Sequence, residues 1–120
     1  MAGQQGRNFS FPDEVRKFVS NGNVKLVNLE SGPVGLGTFE PGWHWSEHVK
    51  PIAGTDSCKV QHIGYVVSGR MKVVGDDGSE AEVGPGDVFN MPAGHDAWTV
   101  GDEACVLVDF GGLHGYATGS

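Results

Sequence analysis

The chain has 120 residues and a mass of 12.7 kDa, with 38% apolar and 19% charged residues, enough material for one domain with one core. Eight basic against fifteen acidic residues give a formal net charge of −7 and a pI near 5.0. An acidic chain without a basic stripe gains little from a phosphate backbone, so nucleic acid is excluded as an expected partner. The longest purely apolar run, Ala104 to Val108, falls far short of the roughly 20 residues that cross a bilayer, and no membrane span is expected. Two cysteines and an opening MAGQQGRN without an apolar signal core point to a reduced, cytoplasmic setting.

Residues 1–22 are predicted to form an N-terminal arm with one short helix in SFPDEVRKFVS. Ser10 is placed to cap it, Pro12 needs no N–H there, and Asp13 and Glu14 suit the positive end of the dipole. Phe11, Val15, Phe18 and Val19 would share one side and plug the core or a dimer seam. After the turn at Asn21-Gly22-Asn23, a single β-barrel is expected over residues 23–112, with a loose tail at 113–120.

Strand follows strand through that region. The expected runs are Val24–Glu30, Val34–Phe39, Trp43–His48, Cys58–Ser68, Met71–Val74, Ala81–Val83, Val88–Met91, Ala97–Val100 and Ala104–Phe110. Turn signals separate them, the strongest being Gly75-Asp76-Asp77-Gly78, where Asp-Gly supplies the positive φ of a tight hairpin. Twenty scattered glycines fit this reading. Many short strands at such spacing mean a sandwich or a barrel, an all-β fold.

The chemistry concentrates in EHVKPIAGTDSCKVQHIGYVVSG, from Glu47 to Gly69, and in PAGHDAW downstream. If Cys58 to Ser68 is extended, Cys58, Val60, His62, Gly64 and Val66 share a face, because side chains repeat every second residue. His95 can face the same interior, and His48 is the third candidate imidazole. These residues are read as a metal site of His48, His62 and His95, with Cys58 possible. Each has a plainer alternative: His62 as a core histidine bonded to backbone, Cys58 as a small buried hydrophobe. Asp96 could orient His95 from behind, and Asp56 is either a further outer partner or a loop cap. Trp43, Trp45, Tyr65, Phe89 and Trp98 are the pocket candidates, lining the interior where their parity is inward and sealing a contact where it is outward. Cys105 reads as core, and His114 as a solvated tail residue.

Two segments resemble the paired motifs of the cupin superfamily, G-x5-H-x-H-x3/4-E-x6-G and G-x5-P-x-G-x2-H-x3-N. Gly42 with His48 matches the opening of the first and His62 with Gly69 its close, while Gly86 with Pro92-Ala93-Gly94 matches the second. The resemblance spans roughly Phe39 to Phe110 and implies a cupin-type double-stranded β-helix barrel, or jelly roll, usually a homodimer, with one ion or ligand inside. Lys50 stands where the family has its second histidine, His62 where it has glutamate, and Ala97 where it has its last histidine. A second register places Asp56 and Cys58 in the two histidine positions. The chain also resembles small bacterial cupins known only by their fold. Two functions follow as expectations. One is a divalent-metal enzyme (Zn, Fe, Mn, Ni or Cu) of oxygenase, isomerase or lyase type acting on a small organic molecule. The other is a non-catalytic cupin that binds a small ligand without a metal.

Overall fold

The structure, a computed structural model, describes residues 3–110; the expected tail at 113–120, with His114, lies outside the described residues. Among these, the β-branched and alternating runs become nine antiparallel strands in two sheets. The larger sheet contains β1 (Glu14–Lys17), β2 (Gly22–Leu29), β3 (Gly32–Phe39), β4 (His62–Ser68), β7 (Val88–Met91) and β9 (Cys105–Asp109), in the order β1-β2-β3-β9-β4-β7. The smaller holds β5 (Arg70–Gly75), β6 (Glu80–Val83) and β8 (His95–Val100), in the order β6-β5-β8. This is the jelly-roll barrel the sequence predicts.

Period-two burial places the core between the sheets. On β4, His62, Gly64 and Val66 are buried while Ile63, Tyr65 and Val67 are exposed; on β9, Cys105, Leu107 and Asp109 are buried. The Asp-Gly hairpin forms as expected, with Gly78 at φ 87° and its N–H donating to the Gly75 carbonyl at 2.9 Å.

Two expectations fail for physical reasons. The segment predicted as an N-terminal helix contains the edge strand β1, which pairs antiparallel with β2 from Glu14↔Leu26 to Lys17↔Asn23. A helical stripe would have buried Phe11, Val15 and Val19, yet only Phe18 reaches the core (5% exposed) and Phe11 is 77% exposed. The open edge of β2 offers hydrogen bonds that outweigh the weak helical pattern, and the Asp13 N–H extends the ladder to the Leu26 carbonyl at 2.8 Å. The predicted strand Trp43–His48 instead winds into a single helical turn, α1 (Trp45–His48), followed by α2 (Lys50–Ala53). Gly42 at φ 88° turns the chain inward, and α2 stops at Gly54 in the left-handed region at φ 75°. No helix among the described residues is long and apolar enough to cross a membrane.

Gly64 shows how tightly neighbouring strands of the larger sheet pack. A Cβ there would collide with the Val108 carbonyl oxygen of β9 and lie 2.8 Å from Phe89 Cζ. Replacement by alanine forces backbone or a packed ring to move, which costs typically about 1–3 kcal/mol. Gly64→Ala is therefore expected to lower the urea midpoint without changing the m-value, in equilibrium unfolding followed by tryptophan fluorescence. A change below about 0.5 kcal/mol would mean the sheets are looser than described.

Candidate metal centre

Backbone pairing brings the site together. Cys58 forms an isolated antiparallel bridge with His95, the first residue of β8. The Cys58 N–H donates to the His95 carbonyl at 2.7 Å, and the His95 N–H returns to the Cys58 carbonyl at 3.2 Å. Residues that exchange both bonds sit opposite each other with side chains on one face. His62, at the start of β4, is the third member. Ligand atoms of Cys58, His62 and His95 lie within 4.8 Å of one another, and all three residues are buried. The Cys58–Ser68 run is thus not one strand, since β4 begins at His62, but its inward parity holds.

The imidazoles are oriented from behind. His62 Nδ1 lies 2.6 Å from Asp109 Oδ2, a carboxylate that is 0% exposed. A carboxylate accepts, so Nδ1 carries the proton and Nε2 is the lone-pair nitrogen, 3.7 Å from Cys58 Sγ. His95 Nδ1 lies 2.8 Å from the Pro92 carbonyl, which can only accept, so its Nε2 is likewise the lone-pair nitrogen. The rings meet edge to face, with centroids 5.4 Å apart and planes at 67°. Burial holds His95 below the ordinary imidazole range and pushes the Cys58 thiol up to about 11.

This donor set fits a divalent ion. Bond lengths of about 2.3 Å to sulfur and 2.0 Å to nitrogen place two tetrahedral donors about 3.5 Å apart, and Cys58 Sγ and His62 Nε2 are separated by 3.7 Å.

The other candidate residues fall elsewhere. His48 stays on α1, where its Nδ1 accepts the His44 N–H at 3.0 Å, and the structure does not bring it to the group. Helical spacing of Trp45–His48 replaces the strand parity that pointed it inward. Asp96 faces away from His95, because 95, 97 and 99 take the inward parity of β8; it pairs with His44 Nε2 at 2.9 Å instead. Asp56 is exposed and is not part of the group of Cys58, His62 and His95. Trp43, Trp45 and Phe89 line the interior cavity as expected. Tyr65 does not, being 42% exposed on the outer face of β4, and Trp98 packs outside against His44 at 5.1 Å. Asp109 is the residue that sequence reasoning missed. Its signal was legible: in ACVLVDF it shares inward parity with Cys105 and Leu107.

A cavity of about 40 Å³ opens beside the imidazoles, walled by His62, His95 and Asp109 and otherwise by apolar side chains such as Phe39, Met71, Phe89 and Leu107. The cupin-domain family profile matches residues 45–111. The chain belongs to the cupin family. No curated protein matches it in sequence. Among solved structures, this cupin is similar to KdgF from Halomonas sp., at 20% identity and a TM-score of 0.60, over 90% of this chain and 91% of that one. A cupin-like protein from Thermotoga maritima aligns at 24% identity and 0.54, over 82% and 74% of the chains. Oxalate decarboxylase from Bacillus subtilis, described with Mn(II) centres, aligns at 25% identity and 0.50 over 84% of this cupin, which spans 27% of that protein.

Leaving a buried donor without its acceptor costs about 1–3 kcal/mol. Asp109→Ala takes the acceptor from the buried His62 Nδ1–H and is expected to destabilise the cupin by about 2 kcal/mol in urea unfolding. Asp109→Asn, which keeps an acceptor oxygen, is expected to lose less than half of that. Equal losses would show that the negative charge, not the hydrogen bond, holds the ring.

Proposed function

We propose that this cupin holds one divalent transition-metal ion on Cys58 Sγ, His62 Nε2 and His95 Nε2. The observation that carries the reading is the common orientation of the imidazoles: each has its Nδ1 hydrogen bonded from behind, so each presents Nε2 on the thiol's side. A thiolate with two imidazoles suits Zn(II) or another late first-row ion better than Mn(II) or Fe(II), which favour carboxylate and imidazole. Three protein donors leave a position for water or a small organic molecule in the cavity. Bound there, the ion would supply Lewis acidity, which favours isomerase or lyase chemistry over oxygen activation. His62 and His95 would hold the ion at the cavity wall, and Asp109 would keep the His62 ring in its tautomer.

A second reading, a cupin that binds its small ligand without turning it over, draws support from the cavity wall. Among the described residues its titratable side chains are His62, His95 and Asp109 alone, and each is already assigned to the ion or to orienting its ligands.

Two buried free cysteines suit a cytoplasm that keeps thiols reduced. A homodimer is supported by the row of Ile63, Tyr65, Val67 and Val88 on the outer face of β4 and β7, where Tyr65 lies opposite Val88, itself 76% exposed. Val88→Asp is expected to convert a dimer to a monomer in light scattering; a wild-type monomer at high concentration would end that part of the proposal.

Untagged protein is expected to carry close to one equivalent of zinc or a similar ion by elemental analysis. Cobalt substitution should give a thiolate-to-metal charge-transfer band that Cys58→Ser abolishes, and His95→Ala should lower occupancy while Trp98→Phe leaves it intact. Since burial keeps the Cys58 proton on up to about pH 11, metal uptake at neutral pH displaces it. Affinity should then rise about tenfold per pH unit near neutrality. A pH-independent affinity, or cobalt bound with no sulfur band, would remove Cys58 from the site.

A further inference from the structure

The hairpin turn Gly75-Asp76-Asp77-Gly78 carries two carboxylates with different tasks. Asp77 serves the turn itself: its Oδ1 accepts the Ser79 N–H at 2.9 Å and the Ser79 hydroxyl at 2.6 Å. Asp76 reaches another segment. Its Oδ2 accepts the Ser57 hydroxyl at 2.7 Å and lies 3.5 Å from Lys59 Nζ, which also donates to Ser57 Oγ at 3.1 Å. The residue between Ser57 and Lys59 is Cys58.

Extended backbone explains the arrangement. Cys58 bridges His95 as a strand residue would, so residues 57 and 59 share the face opposite the thiol. On that face both side chains meet one carboxylate, while Cys58 Sγ meets His62 Nε2 on the other. Cys58 belongs to no strand, and a lone bridge opens more readily than a ladder. Ser57 is 6% exposed, so its hydroxyl depends on a protein acceptor. Asp76 is itself anchored beside the centre, because its N–H donates at 2.8 Å to the carbonyl of Gly94, the residue before His95. A Cβ on Gly94 would lie 2.9 Å from Asp76 Oδ2, and its φ is 87°, so glycine there leaves room for the carboxylate.

Resting on the metal reading above, we infer that Asp76 is a positioning residue for the centre: through the Ser57 hydroxyl it holds the Cys58 thiol in place against His62 and His95. Asp76 and Lys59 are both more than half exposed, so their ion pair adds little to folding. The bond to the buried Ser57 hydroxyl is the part that sets the loop. Its loss shows in the thiol and in metal binding more than in the stability of the barrel.

The test compares Asp76→Ala, Asp76→Asn, Ser57→Ala and the double variant Ser57→Ala/Asp76→Ala in the full chain. Zinc affinity is measured by chelator competition, and the thiolate band is followed in the cobalt form. On metal-free protein, the rate of iodoacetamide labelling is read peptide by peptide, which separates Cys58 from Cys105. Asp76→Ala is expected to weaken zinc about tenfold, to diminish the cobalt band and to speed Cys58 labelling, while Cys105 labelling and the urea midpoint change little. Asp76→Asn, which keeps an acceptor oxygen for the hydroxyl, should recover most of the affinity. The double variant should lose no more than either single one, since both remove the same bond. Wild-type affinity and labelling in Asp76→Ala would overturn the inference, as would additive losses in the double variant. Losses equalled by Asp77→Ala, which removes the turn's own bonds, would reduce Asp76 to a hairpin residue and overturn it too. If the wild-type chain takes up no zinc, the metal reading falls, and faster Cys58 labelling in Asp76→Ala still decides whether Asp76 holds the thiol.

Discussion

The hydrogen bond between His62 and Asp109 ties the barrel's architecture to its chemistry. It runs between β4 and β9, neighbours in the larger sheet, with both residues on the inward face. Asp109 is paired across the ladder with Gly64, not with His62, so the contact is diagonal. A glycine at that position leaves no side chain between ring and carboxylate, and its close approach to Val108 of β9 gives a second reason for having none. A fully buried carboxylate is costly unless it is bonded, so any slip of β9 against β4 would leave it uncompensated. The same bond that fixes the strand register therefore also fixes which His62 nitrogen faces the thiol.

Backbone pairing does for Cys58 and His95 what the side-chain bond does for His62. Neither residue depends on a long side chain reaching across space. The Cys58 carbonyl accepts from both the His95 N–H and the Gly94 N–H, which clamps the loop carrying the thiol onto the beginning of β8. Short rigid supports of this kind hold donor atoms without the entropy cost of ordering flexible arms.

Most of the barrel was legible because a sheet with one buried face writes a period of two into its strands, and Gly, Pro and Asp mark the turns. That is why the inward positions of His62 and His95 can be read from the sequence alone. The first helix is misread because Phe11, Val15, Phe18 and Val19 fit a helical stripe, while the edge of β2 that captures the segment, although it begins only a few residues later at Gly22, becomes a template once β2 pairs with β3. His48 was misread because Trp43–His48 can alternate as a strand or close a single turn, and six residues do not decide between them. Asp109 went unnoticed because an acidic residue ending an apolar run looks like a strand leaving the core. Only the position of His62, five strands away in sequence but adjacent in the sheet, shows that the carboxylate belongs inside.

The departures from the family motif form one coherent displacement. His95 stands two residues before the position where the motif has its last histidine, now Ala97. On a strand that is the same face, about 7 Å nearer the end of the barrel. A donor moved by that distance needs partners at its new level, and Cys58, paired with His95 through backbone, supplies one there. The space left behind is occupied by no ligand-bearing side chain: Ala97 lines the cavity together with Trp43, Trp45 and Met71. On the proposed metal reading, the shift of the imidazole along the strand and the apolar chamber lined by Ala97 would be two results of the same departures from the motif. A chamber so walled bounds the chemistry, since whatever enters must bring its own polar groups to meet the imidazoles.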